Sequence, residues 1–363
     1  MKITDIKIGR ISVPLITPFK TALRTATSVD DIIVEVHTDD GHVGFGEAPP
    51  TGVITGDTAG AIVGALRAHI IPSLIGQDIA NLERILRTLD SCVLHNTSAK
   101  AAVDMAVYDL FGQMLGVPVH RLLGGFRQQI ATDITISVNS PEEMERDALA
   151  AVARGFRTLK IKVGKDVALD VRRISAIRDA VGRDIQVRID PNQGWSPKEA
   201  VRALTVMEDA GLDLELVEQP VAAHDIDGLK FVTDRTSILV AADEAVFSRR
   251  DAIEILQRRA ADLVNIKLMK TGGLRNALAI CDLAETYGVE CMIGCMLEAK
   301  VSVTAAVHLA AAKQVITKVD LDGPVLCSED PVEGGAVFDG RLITLTEEPG
   351  LGITKIHGVE YEI

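Results

Sequence analysis

The sequence has no uninterrupted apolar run near the roughly 18 residues that a membrane-spanning helix needs, so no membrane partner is expected. The first residues, MKITDIKIGRISVPL, alternate apolar with polar and lack the continuous apolar stretch of a secretory signal. Cysteine usage excludes a disulfide framework: Cys92, Cys281, Cys291, Cys295 and Cys327 are odd in number and include no Cys-x-x-Cys pair. Free thiols in a reducing, cytoplasmic compartment are the expectation. Positive charge is in deficit, 38 basic against 51 acidic residues for a net charge of −13, and such a field repels nucleic-acid backbones and anionic lipid. An anionic substrate would need local lysine, arginine or metal charge. Nucleotide fingerprints are missing too. Gly164-Lys165 has Leu159 where the first P-loop glycine would stand, and no Gly-x-Gly-x-x-Gly follows the first strand of the second half.

What is present is a chain of 363 residues, 47% hydrophobic and 25% charged, which is globular and long enough for two lobes. Ile32 to Val36 reads as a strand, Thr38-Asp39-Asp40-Gly41 as a hairpin turn, and Val43 to Gly46 as a second strand. Helical spacing follows over about 58–74, 81–93 and 98–115, which makes residues 1–125 an α+β lobe. From Thr132 the pattern changes to eight short β-branched runs, TDITISV, TLKIKV, IQVRID, LELVEQ, ILVAAD, LVNIKL, VECMIG and ITKVDL, separated by helix-length segments. Ser140-Pro141-Glu142-Glu143 and Ser196-Pro197-Lys198-Glu199 each supply an N-cap serine, a proline at N1 and a glutamate at N3. Such repetition predicts a parallel (β/α) barrel over 126–323, with an open doubly wound sheet as the alternative. The tail, 324–363, is expected to rejoin the first lobe.

In such barrels chemistry sits where strands end. Lys162, Asp190, Glu218, Asp243, Lys267 and Asp320 end the second, third, fourth, fifth, sixth and eighth runs, each about one repeat from the next except the last two, which are two repeats apart. One charge at a strand end is ordinarily just solvated. Six in phase would be gathered around one mouth. Asp190, Glu218 and Asp243 offer three hard oxygen ligands with no His or Cys, the donor set that suits Mg²⁺ and not zinc. Lys160 and Lys162 share a strand face, so each ammonium disfavours charge on the other, and a nearby cation adds to this. Lowering a lysine from about 10.4 to between 7 and 8 costs roughly 4 kcal/mol at about 1.36 per unit, and would let Lys162 act as a base. Lys267, four strands away, would approach from the opposite side.

The motifs TLKIKVG, RIDPNQGW, LVEQP, AADE and NIKLMKTGG together resemble the muconate-lactonizing subgroup of the enolase superfamily. The resemblance implies a TIM-type barrel of modified (β/α)7β form behind an N-terminal α+β capping domain. It also implies one Mg²⁺ per subunit, with Mn²⁺ as a substitute, on Asp190, Glu218 and Asp243. Lys162 and Lys267 become the acid/base pair, with Lys160 beside them. Asp320 and Asp322, two apart in TKVDLDG and so expected on one strand face where they would clamp a cation at the barrel mouth, resemble the carboxylates with which dipeptide epimerases hold a substrate's α-ammonium. PFKTALRTATS and GEAPPTGVITGD are similar to the specificity loops of the alanyl-glutamate epimerases, which implies that Arg24 meets the glutamate side chain. Thr135, Asn192 and Cys295 complete the candidate substrate contacts.

The implied activity is Mg²⁺-dependent epimerisation of L-Ala-D/L-Glu, a small-molecule dipeptide, by a homo-oligomer. Racemisation of N-acylated amino acids, succinylbenzoate synthesis and muconate cycloisomerisation are the alternatives on the same scaffold. A silent metal- or peptide-binding protein would not need both lysines. Pro191 stands where alanine is more usual and Cys295 where serine is, and the second of these bears on the first dipeptide residue.

Overall fold

The computed structural model describes residues 1–21, 25–164 and 166–361. It opens with three antiparallel strands, β1 (Ile3–Lys20), β2 (Thr25–Thr38) and β3 (Val43–Ala48). Alternation in β1 buries Ile6 and Ile8 on one face and Ile11 and Val13 on the other, as a period of two requires. The turn between β2 and β3 is closed by the amide of Gly41 donating to the Thr38 carbonyl at 3.2 Å. The expected helices are present, with one irregularity. The first comprises Ala59–Ala65, a π-type turn at Leu66–Ile70 and Ile71–Leu74, and the turn immediately precedes Pro72, which has no amide to continue the α ladder.

A short strand β4 (Gln129–Ala131) leads into eight parallel strands: β5 (Ile134–Ile136), β6 (Thr158–Lys162), β7 (Gln186–Asp190), β8 (Leu214–Glu218), β9 (Leu239–Ala242), β10 (Leu263–Ile266), β11 (Glu290–Gly294) and β12 (Ile316–Asp320). Each pairs with the next in chain order. The row curls until its ends meet: the Asp133 amide donates to the Val319 carbonyl at 3.3 Å, and the Leu321 amide to Thr132 Oγ1 at 2.8 Å. The arrangement is a TIM-type barrel and not the open sheet. Leu216, Ala241, Leu263 and Met292 form a small core inside it, separate from the main one. Both serine capping boxes form as expected, at Ser140 and Ser196. The tail supplies β13 (Val332–Gly334), β14 (Val337–Asp339), β15 (Leu342–Thr344), β16 (Ile353–Ile356) and β17 (Glu360–Tyr361). The last of these pairs with β1, and β15 pairs with β4.

The Thr97–Leu115 helix is buried along most of its length and packs against β3. Its alanines make that approach possible. A Cβ on Gly46 would lie 1.8 Å from the Ala102 carbonyl oxygen, and one on Gly44 2.2 Å from that of Ala106. Strand and helix therefore touch backbone to backbone. Gly46→Ala should cost about 3 kcal/mol in urea unfolding, since a well-packed contact must separate. Gly64→Ala, where nothing lies within 4 Å of the added methyl, should instead stabilise its helix by up to about 1 kcal/mol.

Candidate active site

Parallel register sets the strand ends level, with Lys162 of β6 directly beside Asp190 of β7 and Gly294 of β11 beside Asp320 of β12. The positions expected to converge do so, and nearly all are buried. Lys160 Nζ reaches Asp320 Oδ2 at 2.7 Å, Glu218 Oε2 at 2.7 Å and Asp190 Oδ2 at 3.3 Å. Lys162 Nζ meets Asp190 Oδ2 at 2.5 Å, and Lys267 Nζ meets Asp243 Oδ2 at 2.7 Å. Backbone strain collects at the same place. Asn192, Gln193 and Gln219, which follow Asp190 and Glu218, have φ of 46°, 65° and 36°. Past Pro191, the Asn192 amide donates to Asp190 Oδ1 at 2.8 Å.

A cavity lies over this charge network. Lys160, Lys162, Lys267, Thr135, Asn192, Cys295, Asp320 and Asp322 line it, together with Phe19, Thr21, Val53 and Ile54 of the N-terminal lobe and Met296, Leu297 and Leu326. Asp190, Glu218 and Asp243 do not line it and sit behind the ammonium groups. Arg24 lies outside the described residues. Asp322 is placed differently from the expectation of two carboxylates on one strand face: β12 ends at Asp320, and Asp322 begins the short Gly323–Leu326 helix. Its Oδ2 accepts the Thr135 amide at 2.6 Å, so a turn and not strand alternation brings it beside Asp320.

Charges here are set by burial against neighbours. Burial lowers Lys160 and Lys267, but Asp320, Glu218 and Asp190 around the first, and Asp243 and Glu218 around the second, outweigh it and hold both above the usual lysine range. For Lys160 that reverses the depression expected from ammonium repulsion, because it has more carboxylate than ammonium neighbours. Burial pushes Glu218 up to about 6. Burial also works against Asp320, yet Lys160 and Lys267 keep it at about 2, whereas burial and then Asp320 itself raise Asp322 to about 6.

Among the described residues no three carboxylate, imidazole or thiol groups are drawn together as a finished metal shell, since lysines stand between the carboxylates. The donor chemistry nevertheless fits a hard divalent cation. Glu218 Oε2 and Asp243 Oδ1 are buried and accept no hydrogen bond, being matched only by ammonium charge at 2.7 and 2.6 Å.

Several supporting residues escaped the strand-end reading. Lys270 is fully buried and donates to the carbonyls of Asp243 at 2.5 Å and Asn265 at 2.9 Å. Asn265 Nδ2 donates to Glu218 Oε1 at 2.9 Å, and Gln219 Oε1 accepts the Asp243 amide at 2.9 Å. Glu244 is buried with both carboxylate oxygens unpartnered, and burial raises it to about 8. Lys270 and Glu244 stand inside NIKLMKTGG and AADE, and only position within those motifs could have flagged them.

The family described as mandelate racemase / muconate lactonizing enzyme, N-terminal domain, matches residues 3–124, and the one described as enolase C-terminal domain-like matches residues 143–356. The L-Ala-D/L-Glu epimerase of Clostridium acetobutylicum is 60% identical over 357 residues, covering 98% of this chain and 100% of its own. A substrate-liganded complex of the L-Ala-D/L-Glu epimerase from Bacillus subtilis superposes with a TM-score of 0.97 at 51% identity, covering 98% of this chain and 99% of that one. The dipeptide epimerase of Enterococcus faecalis, complexed with Mg and L-Leu-L-Tyr, superposes with a TM-score of 0.95 at 42% identity, covering 98% of this chain and 100% of that one.

Lys160→Met should cost about 3–5 kcal/mol in chelator, because Glu218, Asp190 and Asp320 lose a shared buried partner. Mg²⁺ should recover part of that loss, as read by thermal unfolding with and without the ion. Indifference to Mg²⁺ would count against the carboxylates as its donors.

Proposed function

The chain belongs to the enolase superfamily, in its mandelate racemase and muconate-lactonizing branch, and we propose that it is an isomerase interconverting L-Ala-D-Glu and L-Ala-L-Glu. One observation carries the reading: Lys162 and Lys267 enter one cavity from strands four apart, and the same cavity holds Asp320 and Asp322. Inversion at carbon needs one group to take a proton and another to return one on the opposite face. Two ammonium-bearing side chains on opposite walls meet that need, and the paired carboxylates meet a free α-ammonium. A hydrolase or hydride-transfer reading would use neither feature.

In this assignment Asp190, Glu218 and Asp243 hold one Mg²⁺, for which Mn²⁺ can substitute. The ion supplies positive charge to the carboxylate that accumulates electron density when its α-proton leaves. Lys162 takes or returns the α-proton on one face and Lys267 does so on the other, one entering neutral and the other charged. A cation on the three carboxylates would cancel the charges that hold Lys267 high, which moves it toward a working range. Lys160, tied to Asp320, Glu218 and Asp190, spaces the carboxylates. Asp320 and Asp322 bind the ammonium, and Thr135 fixes Asp322. Asn192 orients Asp190 through its amide. Cys295 lines the cavity beside the two aspartates, and on the sequence resemblance Arg24 is assigned to the glutamate side chain.

The deciding experiment follows each epimer of Ala-Glu in deuterated water with Mg²⁺. Wild type should exchange the α-proton of both epimers and equilibrate them. Lys162→Ala and Lys267→Ala should each abolish net inversion, and each should retain exchange of at most one epimer, a different one in the two variants. Normal inversion in either variant, or a preference of the wild type for N-acetyl-Ala-Glu over Ala-Glu, would defeat the proposal.

A pH dependence follows from Asp322, raised to about 6. Below that value it is protonated and neutral, so the ammonium loses half of its clamp while Asp320 stays ionised. kcat/KM for Ala-Glu should therefore fall as pH drops through about 6, mainly through KM. In Asp322→Asn, KM should already be high at pH 8 and that acidic limb should disappear.

A further inference from the structure

The five barrel helices that follow β5 to β9 all carry a polar N-cap of their own. Ser140, Asp166, Ser196, Asp225 and Ser248 each accept a first-turn amide with their side chain. The two long helices that follow β10 and β11, Leu274–Tyr287 and Lys300–Ala312, begin at Gly273 and Ala299, which have no side chain able to cap. Their free amides are satisfied from the other lobe. Asp104, on the Thr97–Leu115 helix, accepts the Leu274 amide on Oδ1 at 2.5 Å and the Arg275 amide on Oδ2 at 3.4 Å. Glu47, on β3, accepts the Ala299 amide on Oε1 at 2.9 Å and the Ser302 amide on Oε2 at 2.8 Å. Both carboxylates are buried, at 2% and 0% exposure.

The fit is close enough to dictate sequence. A Cβ at position 273 would stand 2.3 Å from the Asp104 carboxyl carbon, at a φ of 116°, so glycine is required there and a local serine or aspartate cap is excluded. Arg275 strengthens the same grip through ion pairs to Glu83 at 2.9 Å and to Asp90. The two segments held this way carry the site: 267–273 bears Lys267, and 295–298 bears Cys295, Met296 and Leu297 of the cavity wall.

We infer that Asp104 and Glu47 are positioning residues, each capping a barrel helix from the N-terminal lobe, Asp104 to place Lys267 and Glu47 to place the wall at Cys295–Leu297. The inference rests on the reading of Lys267 as one of two proton-transfer groups, and it goes beyond that reading by giving the N-terminal lobe a share in proton transfer. An unmade cap loosens the start of its helix, and misplacement of a reacting group by about 1 Å can cost a factor of about 100 in rate. Because the two caps serve different loops, their loss should have different signatures.

The test measures steady-state kinetics and α-deuterium exchange of both Ala-Glu epimers for Asp104→Ala, Asp104→Asn and Glu47→Ala, with Lys267→Ala as the reference. Asp104→Ala should lower kcat by about 10- to 100-fold. It should also depress exchange of the epimer that Lys267→Ala cannot exchange, several-fold more than exchange of the other. Asp104→Asn keeps an acceptor for the Leu274 amide and should recover most of both effects. If Asp104→Ala does not fold, Asp104→Asn should show a smaller skew toward the same epimer. Glu47→Ala should raise KM by about 10-fold and leave the exchange ratio of the two epimers at the wild-type value. Equal depression of both epimers in Asp104→Ala, or an unchanged ratio with a lowered melting temperature, overturns the inference. Amide hydrogen exchange separates this failure from failure of the dipeptide reading. If wild type exchanges neither epimer, that reading falls, and protection lost only over 267–276 in the Asp104 variant still supports the cap, whereas unchanged or uniformly lost protection overturns it.

Discussion

Four buried carboxylates at the barrel mouth, Asp190, Glu218, Asp243 and Asp320, cannot all stay ionised without opposite charge within a few ångströms. Removing one such charge from water costs several kcal/mol even after relaxation, so the network stands only because Lys160, Lys162, Lys267 and Lys270 reach into it. That constraint reaches into the fold. Lys160 spans from β6 to β8 and β12, and its pairing with Asp320 ties the last strand of the row to the second across the closure. Lower in the barrel Arg188 repeats the device, meeting Asp133 at 2.7 Å, Glu215 at 2.5 Å and the Val319 carbonyl at 3.1 Å. Closure and charge compensation are thus one problem solved by the same side chains.

The same network is poised for exchange of partners. Ammonium groups fill the space between Asp190, Glu218 and Asp243, and Glu218 and Asp243 each keep an oxygen free of hydrogen bonds. A divalent cation entering there would take over a compensating role that the lysines now share, and would leave Lys162 and Lys267 facing the cavity with fewer counter-charges. On the proposed roles, binding of an ion would couple to the charge state of the two lysines through Coulombic balance.

The N-terminal lobe is held by two unlike contacts. Backbone proximity between β3 and the Thr97–Leu115 helix, allowed by Gly44, Gly46, Ala102 and Ala106, makes the lobe rigid. Carboxylates projecting from that rigid unit, Glu47 and Asp104, then satisfy helix termini of the barrel. Rigidity matters here because a cap transmits position only if its own carrier does not move. Phe19, Thr21, Val53 and Ile54 add the lobe's apolar share of the cavity wall.

Much of this was legible in the chain. Short β-branched runs marked the eight strands, and the charges at the ends of six of them marked the mouth, because parallel strands of similar length bring equivalent positions level. The Lys-x-Lys pair and the serine capping boxes are local patterns whose physics is complete within a few residues. Other features had no local signature. The place of Asp322 depends on a turn fixed by Thr135, 187 residues away. The direction in which Lys160 and Lys267 shift depends on how many carboxylates surround each, which adjacency to Lys162 could not reveal. Asp104 and Glu47 look like ordinary acids of a helix and a strand, and the helices they cap show only a missing cap at Gly273 and Ala299. The sequence by itself determined the periodicity and the residues at the strand ends, since these follow from neighbours along the chain. Which charge faces which, and which lobe completes which helix, was decided only by tertiary structure, because electrostatic and hydrogen-bond energies depend on distances through space that chain order does not specify.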